Sequence, residues 1–503
     1  MLTWADAFDR VPPLLASHIV LAASAMLLGA VIALPLGVFA ARHPRFGRVA
    51  LGFASIIQTI PSLALLALFY PLLLALSFQA LGFLPSLLAL ALYALLPILR
   101  NTVIGLNGID PAVIEAADGI GLTRWQKLHI VEGPLALTAV MGGVRTAAVW
   151  TIGAATLSTT VGQPSLGDII FSGLQTQNWV LVLTGCLTAA GLALMVDGLL
   201  AVATQGIETR RRWLWAIPLA AAVLLPAAIV FGQSSASPTI IIGAKSFSEQ
   251  YILARVIGRR LEAKGYRVRY KENLGSAVVF SALSANDVDV YVDYSGTLWT
   301  NEMKRADVPP RVAMNAAIAK WTQAQRQVTT LGALGFENAY ALAMQGRVAK
   351  ARGVASLDDL ARVAPSLTLG GDLEFLDRPE WASIRKDYGL NFAKTRAFSP
   401  TFMYEALKSG DADVISAFSS DGRIAADGLT VLSDPKGVIP GYDALLLIGP
   451  RAAGDARLVA TLKMLIGRVR VEDMRRANLM VDGQKMSPEV AAKWLDSTVT
   501  KRP

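Results

Sequence analysis

The chain has a single cysteine, Cys186, so no disulfide can form within it, and any part that folds outside the cytoplasm must rely on its hydrophobic core. Histidine is almost as scarce. His18, His43 and His129 all fall in the first half, and no group of Cys, His and carboxylates has metal-ligand spacing, so neither a metal nor a cofactor is expected. Charged residues make up only 17% of the 503, well under the usual quarter, whereas 53% are hydrophobic. No Lys/Arg-rich block with interleaved aromatics occurs, so the net charge of +9 does not point to nucleic acid. No G-x-x-x-x-G-K-[ST] occurs either, which excludes ATP binding by a P-loop of the chain's own. The second half has neither His nor Cys, and no Ser or Lys nucleophile has an evident base, so an enzyme is the poorest reading.

What is present is apolar and unevenly placed, nearly all of it before Ser237. A membrane span needs roughly 20 mostly apolar residues. Such runs lie at about 15–40, 49–77, 83–100, 136–160, 179–204 and 214–232, predicting about six spans in a lipid bilayer. The first is too long for a signal peptide and lacks a basic n-region. Pro35, Pro61 and Pro97 fall inside spans, which favours a packed bundle whose neighbouring helices satisfy the freed backbone groups. Arg42, Arg45 and Arg48, then Arg100, Arg124 and Lys127, then Arg210, Arg211 and Arg212 occupy alternate loops, placing all three loops inside if the N-terminus starts outside. Six crossings put everything after Gln233 outside as well. The predicted division is a membrane region over 1–212, a last span and polar linker over 213–237, and an extracytoplasmic domain over 238–503.

The stretch from Asp110 to Pro134 is too polar to span. Asp110 can cap a helix beginning at Pro111, Glu115, Ala116 and Ala117 give it a small-residue face, and Gly119 and Gly121 permit a sharp turn into a second short helix. Read physically, it is either a docking helix or an amphipathic loop on the membrane surface. The pattern Glu-Ala-Ala, three residues, Gly, nine residues, Val131-Glu132-Gly133-Pro134 resembles the EAA loop of ABC importer permeases, with Gly133 in place of the usual Leu. That resemblance implies that Glu115, Ala116, Ala117 and Gly121 couple to a separate ATP-binding cassette subunit. Gln58-Thr59-Ile60-Pro61-Ser62-Leu63-Ala64-Leu65-Leu66 and Ala147-Ala148-Val149-Trp150-Thr151-Ile152-Gly153 resemble the glycine betaine/carnitine/choline branch of those permeases. Arg145 and Asp197 are charges within spans; either they pair across spans four and five or each reaches to the cytoplasmic interface.

After Pro238, strand-like runs alternate with helical patterns: strands at Thr239–Gly243, Arg267–Glu272 and Val288–Val292, helices at Ser248–Lys264 and Ala277–Ala285, and later strands at Ala341–Met344, Leu367–Leu369, Val414–Phe418 and Ala444–Ile448. This predicts an α/β domain of two lobes, with ligand held at strand ends. Aromatic rings recur at those ends beside Lys245 and Arg378. Each ring alone is more simply core. Together they match a quaternary ammonium, which rings attract at about 0.5–2 kcal/mol each, while cations clamp a carboxylate. Three or four rings with such a clamp approach the roughly 8 kcal/mol of micromolar binding.

Lys245-Ser246-Phe247-Ser248-Glu249-Gln250, Asp293-Tyr294-Ser295-Gly296-Thr297 and Ser419-Ser420-Asp421-Gly422 resemble motifs of the osmoprotectant substrate-binding proteins. The resemblance implies a type 2 periplasmic-binding-protein domain, with one lobe at about 238–340 and 441–503 and the other at about 341–440. It also implies cage rings at Tyr294, Tyr340 and Phe418, another at Phe398 or alternatively Tyr404, and carboxylate ligands Lys245, Thr297 and Arg378. Phe418 stands where Tyr is common, which keeps the π face and loses a hydroxyl. The expected whole is a multidomain protein of the bacterial cytoplasmic membrane, a polytopic all-α permease fused to its substrate-binding protein. It is expected to act as a homodimer with two ATPase subunits and to import glycine betaine, choline, carnitine or proline betaine. Ergothioneine, a betaine imported by similar fused proteins, is the alternative solute. A membrane-anchored sensor that does not transport is the alternative class, against which six spans and the EAA-like loop argue.

Overall fold

The computed structural model describes residues 4–76, 78–176, 178–209, 211 and 239–501. The chain divides into two compact units, one mainly of residues 4–170 and 181–236, the other mainly of 237–503.

In the first unit, four helical runs are long and apolar enough to cross a bilayer: Val11–Arg42, Phe83–Asn107, Arg124–Val161 and Trp179–Glu208. The predicted second span is instead two helices, Pro44–Thr59 and Ser62–Ala75, meeting at 100°. Pro61 holds Ile60 extended at φ −72° and ψ 123°, so the first helix stops there. About six spans thus become four, or five with the bent pair, among the described residues. The predicted sixth, 214–232, and the linker at 233–238 lie outside them.

Small residues allow close helix contacts here, beside buried leucines and isoleucines, as expected where lipid is as apolar as leucine. A Cβ on Gly143 would lie 2.5 Å from the Pro97 carbonyl oxygen, so the Gly133–Ala155 and Phe83–Asn107 helices touch backbone to side. Pro97 cannot donate to the Tyr93 carbonyl, and the Gln58 side-chain amide donates to that oxygen instead, at 3.4 Å. A neighbouring helix thereby supplies the missing partner. His18 is buried, its Nε2 3.1 Å from the Ile152 carbonyl, and ties the first helix to the Gly133–Ala155 helix.

Among the described residues the second unit contains ten strands: β1 Thr239–Lys245, β2 Arg267–Leu274, β3 Val290–Tyr294, β4 Thr329–Glu337, β5 Tyr340–Gln345, β6 Thr368–Gly371, β7 Lys394–Ala397, β8 Val414–Phe418, β9 Leu429–Val431 and β10 Asp443–Ile448. They form two five-stranded sheets, β2-β1-β3-β10-β4 and β7-β6-β8-β5-β9. The chain passes from the first sheet to the second at residues 338–339 and returns between β9 and β10. Strands β3 and β10 are buried throughout, which suits their mainly apolar sequences. The unpredicted strands lack a clean signal. Strand β4 contains Gly332 and Gly335 at φ +137° and +117°, and β7 is the exposed tetrapeptide Lys-Thr-Arg-Ala at a sheet edge.

Candidate ligand-binding site

Lys245 ends β1, Tyr294 ends β3, and Thr297 follows within the next helical turn. On the second sheet β5 and β8 run antiparallel with Tyr340 opposite Phe418, so the first residue of one strand and the last of the other reach the same edge. Tyr340 therefore arrives at the site from a strand start, which a search of strand ends reaches only through its partner. The Tyr340 and Phe418 ring centres are 5.0 Å apart, and Phe247 stacks on Phe418 at 6.1 Å and on Tyr294 at 6.2 Å. Lys245, Tyr294, Thr297, Tyr340, Arg378 and Phe418 all line one cleft of about 550 Å³.

The other two rings do not join them. Phe398 packs over Gly370, where a Cβ would lie 3.1 Å from its ring. Tyr404 is 1% exposed in a core cluster with Met403, Leu407 and Ile415, and the Arg423 guanidinium stacks 3.8 Å from its ring centre. The amphipathic Pro400–Ser409 helix turns Tyr404 towards the second sheet, away from the cleft. Their places are taken by Phe247 and by Tyr442, which lines the cleft with its ring edge-on to Tyr340 at 5.8 Å. Tyr442 immediately precedes β10, which pairs antiparallel with β3, and that strand start was the available signal. Gly296 is explained by the same ring, since a Cβ there would sit 2.5 Å from Tyr442.

The two cations are already engaged. Lys245 Nζ donates to Asp293 at 2.7 Å and lies 5.2 Å from the Tyr294 ring centre. Arg378, 4% exposed, donates from Nη1 to Glu380 and the Tyr442 hydroxyl, each at 3.1 Å, and from Nη2 to Thr297 at 3.1 Å and Glu374 at 2.6 Å. Its Nε is buried with no hydrogen-bond partner among the described residues. Burial would raise the Glu374 carboxyl, but Lys245 and Arg378 outweigh it and hold the group below its ordinary range. Asp372, also lining the cleft, is pushed up to about 6 by burial. The cleft thus carries both signs of charge, and its carboxylates were not foreseen from the sequence.

Glu249 organises the junction of the lobes. It is 2% exposed and accepts from the Tyr294 hydroxyl at 2.6 Å, Asn338 Nδ2 at 3.2 Å, Ser420 Oγ at 2.5 Å and Asn478 Nδ2 at 3.0 Å. Burial pushes its carboxyl upward, against those hydrogen bonds. Tyr294 is therefore held from behind by a carboxylate bonded both to the crossing residue Asn338 and to Ser420 of the second lobe.

In the membrane unit, Asp110 caps the Pro111–Gly119 helix by accepting from Ala112 N at 2.9 Å, and Gly121 turns the chain at φ +78°. Glu115 and Ala116 are exposed, but Ala117 is 4% exposed and faces inward, so the free face is narrower than the predicted triplet. Ile120 and Trp125 extend it, 78% and 70% exposed. Arg145 and Asp197 do pair, Nε to Oδ1 and Nη2 to Oδ2, both at 2.9 Å.

Residues 238–497, just over half the chain, match the OpuAC family, the substrate-binding domain of ABC-type glycine betaine transport systems. The chain belongs to the OpuAC family. Residues 33–213 match the inner membrane component of binding-protein-dependent transport systems, so permease and OpuAC domain occupy one polypeptide of the inner membrane. It is 28% identical over 478 residues to the ergothioneine transport permease/ergothioneine binding protein EgtU of Helicobacter pylori, covering 91% of this chain and 85% of that one. Over 180 residues it is 42% identical to the carnitine transport permease OpuCB of Listeria monocytogenes, covering 36% of this chain and 80% of that protein. A crystal structure of a glycine betaine/carnitine/choline ABC transporter matches 51% of this chain and 96% of its own at 29% identity, with a TM-score of 0.45. This OpuAC-family chain combines the permease and the substrate-binding component of an ABC importer.

Proposed function

We propose that the chain captures a small zwitterion bearing a quaternary ammonium, such as glycine betaine, carnitine or proline betaine, or the related cation choline, and imports it at the expense of ATP hydrolysed by a separate subunit. The observation that carries this reading is the convergence of Tyr294, Tyr340 and Phe418 with Lys245, Thr297 and Arg378 on one cleft. Methylated nitrogen suits π faces because it demands no hydrogen bonds of them. The unpartnered Arg378 Nε suits the carboxylate end. Two copies of the chain would form the pathway, and the exposed Glu115–Ala116 face with Gly121 would take the motion of the ATPase.

A second solute has an observation of its own. Glu374 and Ser276, hydrogen-bonded to each other at 2.9 Å, and Asp372 add polar oxygens to the cleft. A trimethylammonium acid that also carries ring N–H donors, as ergothioneine does, uses them, and glycine betaine does not. Calorimetric titration of the full chain with glycine betaine, choline, carnitine and ergothioneine separates the two. Micromolar glycine betaine binding supports the first reading. Ergothioneine binding at least tenfold tighter, lost on Glu374→Ala, supports the second. Binding of none of the four sinks both, and binding without ATP-dependent uptake marks a sensor.

A further inference from the structure

We propose that Arg145, Asp197 and Trp150 form a second, weaker zwitterion site inside the membrane unit, through which the solute passes. The inference rests on the quaternary-ammonium reading above but draws on different residues. Arg145 lies in the middle of the Gly133–Ala155 helix, and Asp197 lies well within Trp179–Glu208. A lone charge at such depth costs roughly 2.5–3.5 kcal/mol or more, and such residues face an interior or a water-filled cavity. Pairing relieves the cost but does not explain why charges are there, because replacing a buried ion pair by packed apolar side chains is often neutral or stabilising. Nor is the pair sealed between the helices. Its side chains remain 36% and 35% exposed in the wall of a groove that Thr146, Trp150 and Leu194 also line. Trp150 is 51% exposed there, and Gly142 widens the groove by omitting a side chain.

A guanidinium, a carboxylate and an indole face in one groove complement a zwitterion whose cation is a quaternary ammonium. The exchange balances in charge. The solute carboxylate takes the Arg145 donors while its ammonium takes Asp197 and the Trp150 face, so net charge stays at zero and no ion is left unpaired in a low dielectric. Because the solute must break a bidentate pair at 2.9 Å to enter, the site binds weakly, as a point of transit requires.

The test compares uptake of radiolabelled glycine betaine in the native host, with substitutions made in the chromosomal copy, alongside solute affinity of the purified full-length chain. Trp150→Leu and the double variant Arg145→Leu with Asp197→Leu should each lower maximal uptake at least tenfold while affinity stays within about twofold, and Trp150→Phe should fall between wild type and Trp150→Leu. Wild-type uptake by the double variant, or equal damage from Phe and Leu at 150, overturns the site. A misassembled double variant is covered by a second measurement, equilibrium dialysis of the full-length chain in nanodiscs with glycine betaine raised to millimolar. A second saturable site per chain, weaker than the first and removed by Trp150→Leu, is expected, and a single site per chain overturns the proposal. If the wild-type chain neither binds nor imports any quaternary ammonium compound, the functional reading itself has failed, which wild type alone reveals.

Discussion

Tyr340 and Tyr404 are both buried tyrosines, at 8% and 1% exposure, yet their substitutions should separate. Tyr340 stands at the cleft edge facing Phe418, Phe375 and Tyr442, whereas Tyr404 is enclosed by the second sheet and Arg423. Tyr340→Ala should weaken ligand binding by about two- to thirtyfold, from a ring–cation contribution of about 0.5–2 kcal/mol, measured by calorimetry. Tyr404→Ala should leave the contacts to ligand in place but lower unfolding stability by about 3–5 kcal/mol through its cavity, measured in urea. The motif resemblance placed Tyr340 in the cage and Tyr404 there only as an alternative to Phe398, while each ring taken alone read as core. Asp372 carries a pH signature. Its folded carboxyl titrates near 6 instead of the usual 3.8, so the folded state binds the extra proton and this group's contribution to stability is lost as pH rises from about 4 through 6. Relative to wild type, Asp372→Asn should therefore gain stability over that window, by up to about 3 kcal/mol. A wild-type-to-variant difference that does not change between pH 4 and 7 contradicts the assignment.

At the scale of elements, glycine and proline positions decide how the membrane helices meet. Gly143 lets its helix lie against Pro97 and Asn101, with an added Cβ only 2.5 Å from a carbonyl oxygen that cannot swing aside. Gly143→Val should abolish assembly of the membrane unit, seen as aggregation in detergent-phase chromatography, whereas Gly153→Ala, with nothing within 4 Å, should not. The positions of Pro35, Pro61 and Pro97 were plain in the sequence, but their consequences differ. Pro35 and Pro97 stay inside continuous helices, while Pro61 turns the chain through 100°. Apolar content within a sequence window does not distinguish these outcomes, because a helix survives a proline when a neighbour such as Gln58 satisfies the freed carbonyl.

At the scale of the whole molecule, the cleft proposed to bind solute and the helix proposed to meet the ATPase belong to separate units of one chain. That separation predicts a separable defect. Ala116→Trp fills the exposed face of the Pro111–Gly119 helix and should abolish ATP-dependent uptake while the purified chain binds solute with unchanged affinity. The same substitution at Ala117, which is 4% exposed, should instead impair folding, measured as lower yield of monodisperse protein. Loss of solute affinity in the Ala116 variant would break the argument that the two tasks are divided.

Much of this protein was decided by one-dimensional chemistry. Apolar runs long enough for a bilayer, basic residues in alternate loops, an Asp-Pro helix start and strand-like runs alternating with helical patterns after Pro238 each report a local free-energy preference, so they were readable without a fold. Lys245 and Tyr294 were legible as strand-end residues, because strand ends are local events, whereas Thr297 and the ligand roles came from the motif resemblance. What needed the tertiary structure were pairings across distance. Asp293 with Lys245, Glu374 and Glu380 with Arg378, the four partners of Glu249, Tyr442 in place of Tyr404, and Arg145 with Asp197 are each set by which elements pack together. Burial makes an unpaired charge too costly to tolerate, but several carboxylates lie at every plausible separation in the chain, and only packing selects among them.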